Sequence, residues 1–242
     1  MEKLVYTIWK EREDSALASS LRAGLDLIPE VLDLQINLPD PTFTGGQGPI
    51  RNLLEQFDGL VSLWLQSRTQ RAAVEEVLAA LCDGFHGYAV NESQPMTPQL
   101  PAPDTNGRID TLSQVCLLRK PDAMTYDSWL STWLESHTQI AIDCQTTIAY
   151  VQNIVQAPVT DGAPIIHGIV EECFPVAAYG DLNLFFGAPG DPAAMQANIE
   201  KLMASTAQFA PLDCLDRIFT APFVNCQTSE TRAEAIPELT HA

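Results

Sequence analysis

A chain of 242 residues, 46% of them hydrophobic, is long enough for one large domain or two small ones and can bury a sizeable core. Thirteen Lys and Arg stand against 31 Asp and Glu, a net charge of −18, which repels phosphate backbones and anionic lipid and makes nucleic acid and membranes unsuitable partners. No basic leader with an apolar run opens the chain, no run of about 18 apolar residues occurs, and the expected location is cytoplasmic. Six scattered cysteines, Cys82, Cys116, Cys144, Cys173, Cys214 and Cys226, form no Cys-x-x-Cys pair. They read as reduced, mostly buried small hydrophobes, and no metal site is expected.

In chain order, Leu4 to Lys10 is a short apolar run suited to a strand. A helix follows, capped by Asp14, with Leu17, Leu21, Leu25 and Ile28 on its inward face. Strands over Asp33 to Leu38 and Gly59 to Leu65 come next, then a helix burying Val74, Val77, Leu78 and Leu81, then a strand over Phe85 to Val90. The loop Gly45-Gly46-Gln47-Gly48 lacks the Lys-Ser or Lys-Thr of a phosphate loop. Between Asn91 and Asp110 lie Pro95, Pro98, Pro101 and Pro103 among small polar residues, which denies the stretch both periodicities and makes it a linker.

Past the linker the order repeats. A strand over Val115 to Lys120 leads to a helix capped by Thr125, whose inward residues Trp129, Trp133, His137 and Ile140 keep the 4, 4, 3 spacing of the first helix. Strands over Ile148 to Val155 and Gly168 to Phe174 follow, then a helix with Asp191 as cap, Pro192 at its first position and Met195, Ile199, Leu202 and Thr206 inward, then a strand over Ile218 to Val224. The fold class is therefore α+β, strand-helix-strand-strand-helix-strand twice: a first ferredoxin-like unit over 1–90, a linker over 91–110, a second unit over 111–226 and a polar tail over 227–242. Helices cover one face of each sheet and the other face needs a partner. The other half of the same chain supplies it most cheaply, as a pseudo-symmetric barrel, and a homodimer is the alternative.

Asp58-Gly59-Leu60-Val61-Ser62-Leu63-Trp64-Leu65 resembles the Asp-Gly-apolar strand of the EthD-domain family, in the dimeric α+β barrel superfamily. The second half is more similar, through His167 to Pro175, Phe185 to Asp191 and Asp216 to Thr220, so the first half reads as a degenerate copy. The resemblance implies a cofactor-free pocket between sheet and helices, in a superfamily of polyketide cyclases, muconolactone isomerases, cofactor-independent monooxygenases and heme enzymes. Family members carry a histidine late in the first helix, followed by a small residue and proline. His137 stands at that place, while Thr138-Gln139 departs from the continuation.

His137 interrupts an apolar stripe where the first copy has Leu25, and an imidazole suits proton transfer beside a carbonyl or a tie to the backbone. Glu171 and Glu172 are adjacent on a strand and point to opposite faces, so one of them can face inward. His167 sits where the first copy has Asp58, a cap or a mouth residue; Asp216 and Arg217 are expected in surface or sheet-end ion pairs. Between Phe174 and Pro189 the second copy inserts Tyr179, Asp181, Phe185 and Phe186, a lid, a plug or an oligomer contact. The expected catalytic set is His137 as base with Glu171 or Tyr179 assisting, and Trp129, Trp133, His167, Phe185 and Phe186 around the substrate. The functional expectation is a cofactor-independent lyase, isomerase or cyclase for a small hydrophobic carbonyl compound; the alternative is a non-catalytic protein holding an apolar ligand. One histidine could serve a heme as axial ligand, though nothing singles that cofactor out.

Overall fold

The computed structural model describes residues 1–11, 14–43 and 48–225. The tail over 227–242, Cys226 and most of the Gly45–Gly48 loop lie outside the described residues. Eight strands, β1 (Glu2–Trp9), β2 (Val31–Leu38), β3 (Gly59–Leu65), β4 (Gly84–Ser93), β5 (Thr111–Leu118), β6 (Ala149–Pro158), β7 (Gly168–Pro175) and β8 (Leu215–Val224), close a barrel in the order β1-β3-β2-β8-β5-β7-β6-β4. All pairings are antiparallel, and each half contributes four strands in the ferredoxin-like order. The halves join through β2 with β8 and β4 with β6, so neither sheet keeps an open edge. The architecture is two tandem ferredoxin-like units in one intrachain α+β barrel, the type seen in dimeric α+β barrels.

Strand bounds differ from the expected ones mainly in the second half, where β5 begins at Thr111 rather than Val115. Thr111 and Ser113 are polar but fully buried inside the barrel, so their polarity hid a strand that tertiary closure covers. The linker expected from Asn91 is entered later, for β4 runs on to Ser93 along β6.

Alternation along the strands gives each sheet two faces. Inside the barrel, Val5, Leu60, Tyr88, Val115, Leu117, Ile169 and Ile218 form an apolar cluster. Beside it lies a polar network: Glu171 accepts from Gln35 Nε2 at 2.6 Å, Asn37 Nδ2 at 2.9 Å, Asn153 Nδ2 at 3.0 Å, Ser62 Oγ at 3.3 Å and Lys3 Nζ at 3.5 Å. Four of these five donors come from the first half, so one carboxylate ties the copies together. Lys3 also pairs with Glu92 at 2.9 Å and rests on the Trp64 ring.

On the outer face of the first sheet, α1 (Leu17–Leu25) and α2 (Ala72–Leu81) pack on Leu4, Tyr6, Ile36, Val61 and Leu63 in one buried apolar cluster. Asp14 sits before α1, its side chain accepting from the Ala16 amide and its carbonyl from Leu17, while Ala16 occupies the cap position itself. The second sheet is covered by α3 (Tyr126–Ser131), a π-helical turn over Thr132–His137, α4 (Thr138–Cys144), the short α5 (Leu182–Phe185) and α6 (Pro192–Phe209). The five described cysteines are all buried and free.

Candidate active site

Between the outer face of the second sheet and its helices lies a cavity of about 830 Å³. Its sheet wall is Leu112, Gln114, Cys116 and Leu118 of β5, Tyr150, Val170, Glu172, Arg217 and Phe219. His137 and Trp133 enter from the first helix, Ile199, Leu202, Met203, Thr206 and Phe209 from α6, and Ala178 to Phe186 from the inserted segment. Ile50 reaches it from the first half, because backbone bonds in both directions join Ile50 to Arg217.

The first helix of this unit starts as expected, with Thr125 Oγ1 accepting from Ser128. It then widens by one residue: the Thr138 amide bonds to the Trp133 carbonyl, five residues back, and Thr138 Oγ1 donates to the same carbonyl at 2.9 Å. Gln152 Nε2 donates to Thr138 Oγ1 at 2.8 Å and anchors the turn to the sheet. The extra residue rotates the C-terminal part of the helix about its axis. Thr138, Ala141 and Cys144 are buried, and Ile140, expected inward on an unbroken 4, 4, 3 spacing, is only half-buried. The two helix faces therefore coincide through His137 and diverge after it. Gly168 permits this packing, since a Cβ there would lie 2.6 Å from the Trp133 ring.

His137 is 8% exposed, its Nδ1 is 3.0 Å from Ser205 Oγ, and its ring lies 4.6 Å from that of Phe209. Burial pulls its pKa down to about 4, so the imidazole is neutral at pH 7. With Nδ1 committed to Ser205, Nε2 is the nitrogen left for a ligand.

The two glutamates divide as their adjacency requires. Glu171 points into the barrel and does not line the cavity, so it is not brought together with His137; Glu172 does line it. Burial pushes the Glu172 carboxyl up to about 7, opposed by the 3.0 Å hydrogen bond that Gln114 Nε2 donates to its Oε2. Its Oε1 is buried without a hydrogen bond among the described residues. The strand register makes the reason visible: with Gly59 aligned on Gly168, Leu63 corresponds to Glu172 and its cross-strand neighbour Leu4 to Gln114. A leucine pair in one copy is an amide–carboxyl pair in the other. Comparison of those two strands would have found Glu172 in the sequence, had facing been assignable.

The remaining expected residues separate. Trp133, Tyr179, Phe185 and Phe186 line the cavity. Trp129 is core, fully buried, with Nε1 donating to the Phe209 carbonyl at 3.0 Å. His167 lies elsewhere, on a shallower hollow of about 370 Å³ with Tyr88 and Tyr126. Its Nδ1 accepts from the Lys120 amide at 3.0 Å, and burial and the nearby Lys120 lower its pKa. Tyr179 packs on Phe43 of the first half at 5.2 Å and edge-on to Phe219, and Gly180 beside it turns with φ 90°. Asp216 is not in a surface ion pair: it is fully buried and accepts from the amides of Asn52, Leu53 and Leu54, which pins the Ile50 segment against β8. Arg217 donates to the Gly48 carbonyl at 3.3 Å, lies over the Phe219 ring, and faces the cavity.

Among the described residues no group of three or more His, Cys, Asp or Glu could hold a metal ion, and no helix is long and apolar enough to cross a membrane. Among the described residues His137 is the single imidazole on the wall, and it is the donor that a heme iron would take there.

No protein-family model matches the chain, and no curated protein matches it in sequence. Among solved structures it is similar to an anthrone oxidase-like protein, with a TM-score of 0.50 and 8% identity over 93% of this chain and 91% of that one. A chlorite dismutase mutant from Candidatus Nitrospira defluvii aligns with a TM-score of 0.45 and 10% identity over 91% of this chain and 90% of that one. At such identities the likeness is one of fold.

Proposed function

We propose that this protein is a cofactor-independent enzyme of the lyase, isomerase or cyclase type, in which Glu172 removes a proton next to the carbonyl of a small hydrophobic compound. The observation that carries the reading is the Glu172 carboxyl, buried on the wall of a mainly apolar cavity with Oε1 unpartnered among the described residues and its pKa at about 7. A general base works best when its pKa is near the working pH, and a site closed to bulk water strengthens its interactions. Gln114 holds one oxygen and so orients the other. His137, neutral with a pKa near 4, is too weak a base for this task at pH 7 and instead offers Nε2 to a polar atom of the substrate. Tyr179 and Phe185 add aromatic wall from the inserted segment. The likeness of the second half to the EthD domain rests on His167 to Pro175, the strand that bears Glu172, on Phe185 to Asp191 and on Asp216 to Thr220; membership of that family is part of this proposal.

The test is solvent deuterium exchange into 2-tetralone and related carbonyl compounds by the intact protein. Exchange that Glu172→Gln removes and Gln114→Leu weakens is expected. Saturable binding with no exchange for any compound would return the chain to a ligand-holding, non-catalytic role. A Soret band formed with added hemin and lost in His137→Ala would replace the cofactor-free reading.

A further inference from the structure

The cavity wall carries one cationic side chain among the described residues, Arg217, in a chain whose net charge is −18. Its place is built rather than incidental. Backbone bonds to Ile50 on both sides, the Gly48 carbonyl on Nη2 and the Phe219 ring 4.9 Å below hold the guanidinium. Burial lowers its pKa, which still leaves it charged at neutral pH. In the strand register Glu172 faces Gln114 and Arg217 faces Cys116, on the two strands flanking β5 and two residues apart along it. By ordinary strand spacing their Cα atoms are roughly 12 Å apart, and both side chains line the same apolar space. Between them on β5 lie Gln114 and Cys116, with Val170 and Phe219 at the other two corners of the register.

We propose that Arg217 is a specificity-determining residue of this cavity, and that the substrate is a planar, mainly apolar compound bearing a carboxylate or an oxygen that becomes anionic as its proton leaves. The assignment deepens the reading of Glu172 as base and rests on it for the chemical step. In that step the C–H bond breaks, the proton moves to Glu172 Oε1, and the electron pair shifts onto the carbonyl oxygen as an enolate held by the guanidinium. Return of the proton at another carbon completes an isomerisation without any co-reactant. A guanidinium in a site of low dielectric suits this charge because it is fixed before the charge develops.

The experiment is fluorescence titration at pH 8 with 2-naphthoate and its methyl ester, alongside the exchange assay. The intact protein should bind the acid about tenfold tighter than the ester, the size of one charge-assisted contact. Arg217→Gln should abolish that preference while the ester still binds within about twofold, which also shows that the cavity has folded. Equal binding of acid and ester by the intact protein, or equal weakening of both by Arg217→Gln, overturns the proposal and leaves Arg217 a packing residue. Exchange that depends on Glu172 but not on Arg217 would sink this inference alone. A retained acid preference without exchange would sink the base assignment and leave the anion-recognising cavity standing.

Discussion

The two sheet–helix layers of this barrel share one backbone plan and differ in what fills them. In the first, Leu4, Leu25 and Leu63 belong to one buried apolar cluster. In the second, the corresponding Gln114, His137 and Glu172 surround a cavity of about 830 Å³. Three leucine positions of the first layer are polar groups in the second, and the inserted segment with α5 adds its side chains to the cavity wall there. The first layer supplies rigidity. Polar groups in the second are supported by a partner on one side, Gln114 for Glu172 and Ser205 for His137, and left open on the other.

The contrast between the layers is tested most sharply by Glu172→Gln, which should lower deuterium exchange by about 10²- to 10⁴-fold, the range of a lost general base. Unchanged exchange would make the second layer only a vacancy. The barrel tie comes next. Glu171→Ala strips a buried carboxylate from five donors, and chemical denaturation should show a loss of about 3–5 kcal/mol, with Glu171→Gln milder.

Two variants, one double and one single, restore the first copy's leucines and read out as pH dependence. Glu172, raised to about 7, binds its proton more tightly in the folded than in the unfolded chain. Its stabilising effect is present below about 4.5 and lost as pH rises through about 7, an effect on the order of 3 kcal/mol. The double change Gln114→Leu and Glu172→Leu should therefore gain most over the parent above pH 7. His137, lowered to about 4, has the opposite sign. Its contribution is present above about 6.5 and lost as pH falls through about 4, also on the order of 3 kcal/mol, and His137→Leu should flatten the acid limb of the thermal-unfolding profile. Between about pH 4.5 and 6.5 the two slopes oppose each other, so the parent should change less there than either variant. The smallest effect is expected of Tyr179→Ala, a few-fold weaker binding of methyl 2-naphthoate from the lost aromatic cover, about 0.5–1.5 kcal/mol.

Periodicity, caps and the proline-rich stretch made the repeated strand and helix order legible in the sequence, because a half-buried strand or helix writes its facing into local spacing. The same repeat exposed His137, a polar break in a stripe that was leucine in the other copy. Adjacency alone required Glu171 and Glu172 to point to opposite faces. Which of them met the cavity depended on which sheet face the helices covered and which the other half covered, and that is decided by closure of β2 on β8 and β4 on β6. Donors from Lys3, Gln35, Asn37 and Ser62 lie 109 to 168 residues from Glu171 along the chain, beyond the reach of any local pattern. The π-helical turn was equally hidden, since the side chains around it read as ordinary helix and its anchor, Gln152, belongs to β6. Asp216 and Arg217 show the same division: their alternation was written in the strand, but the backbone amides that one accepts from and most of the cavity that the other faces are supplied by chain segments distant in sequence. Local physics thus determined the two units and their polar departures, and only the folding of one copy onto the other decided which departure became a structural tie and which became the candidate site.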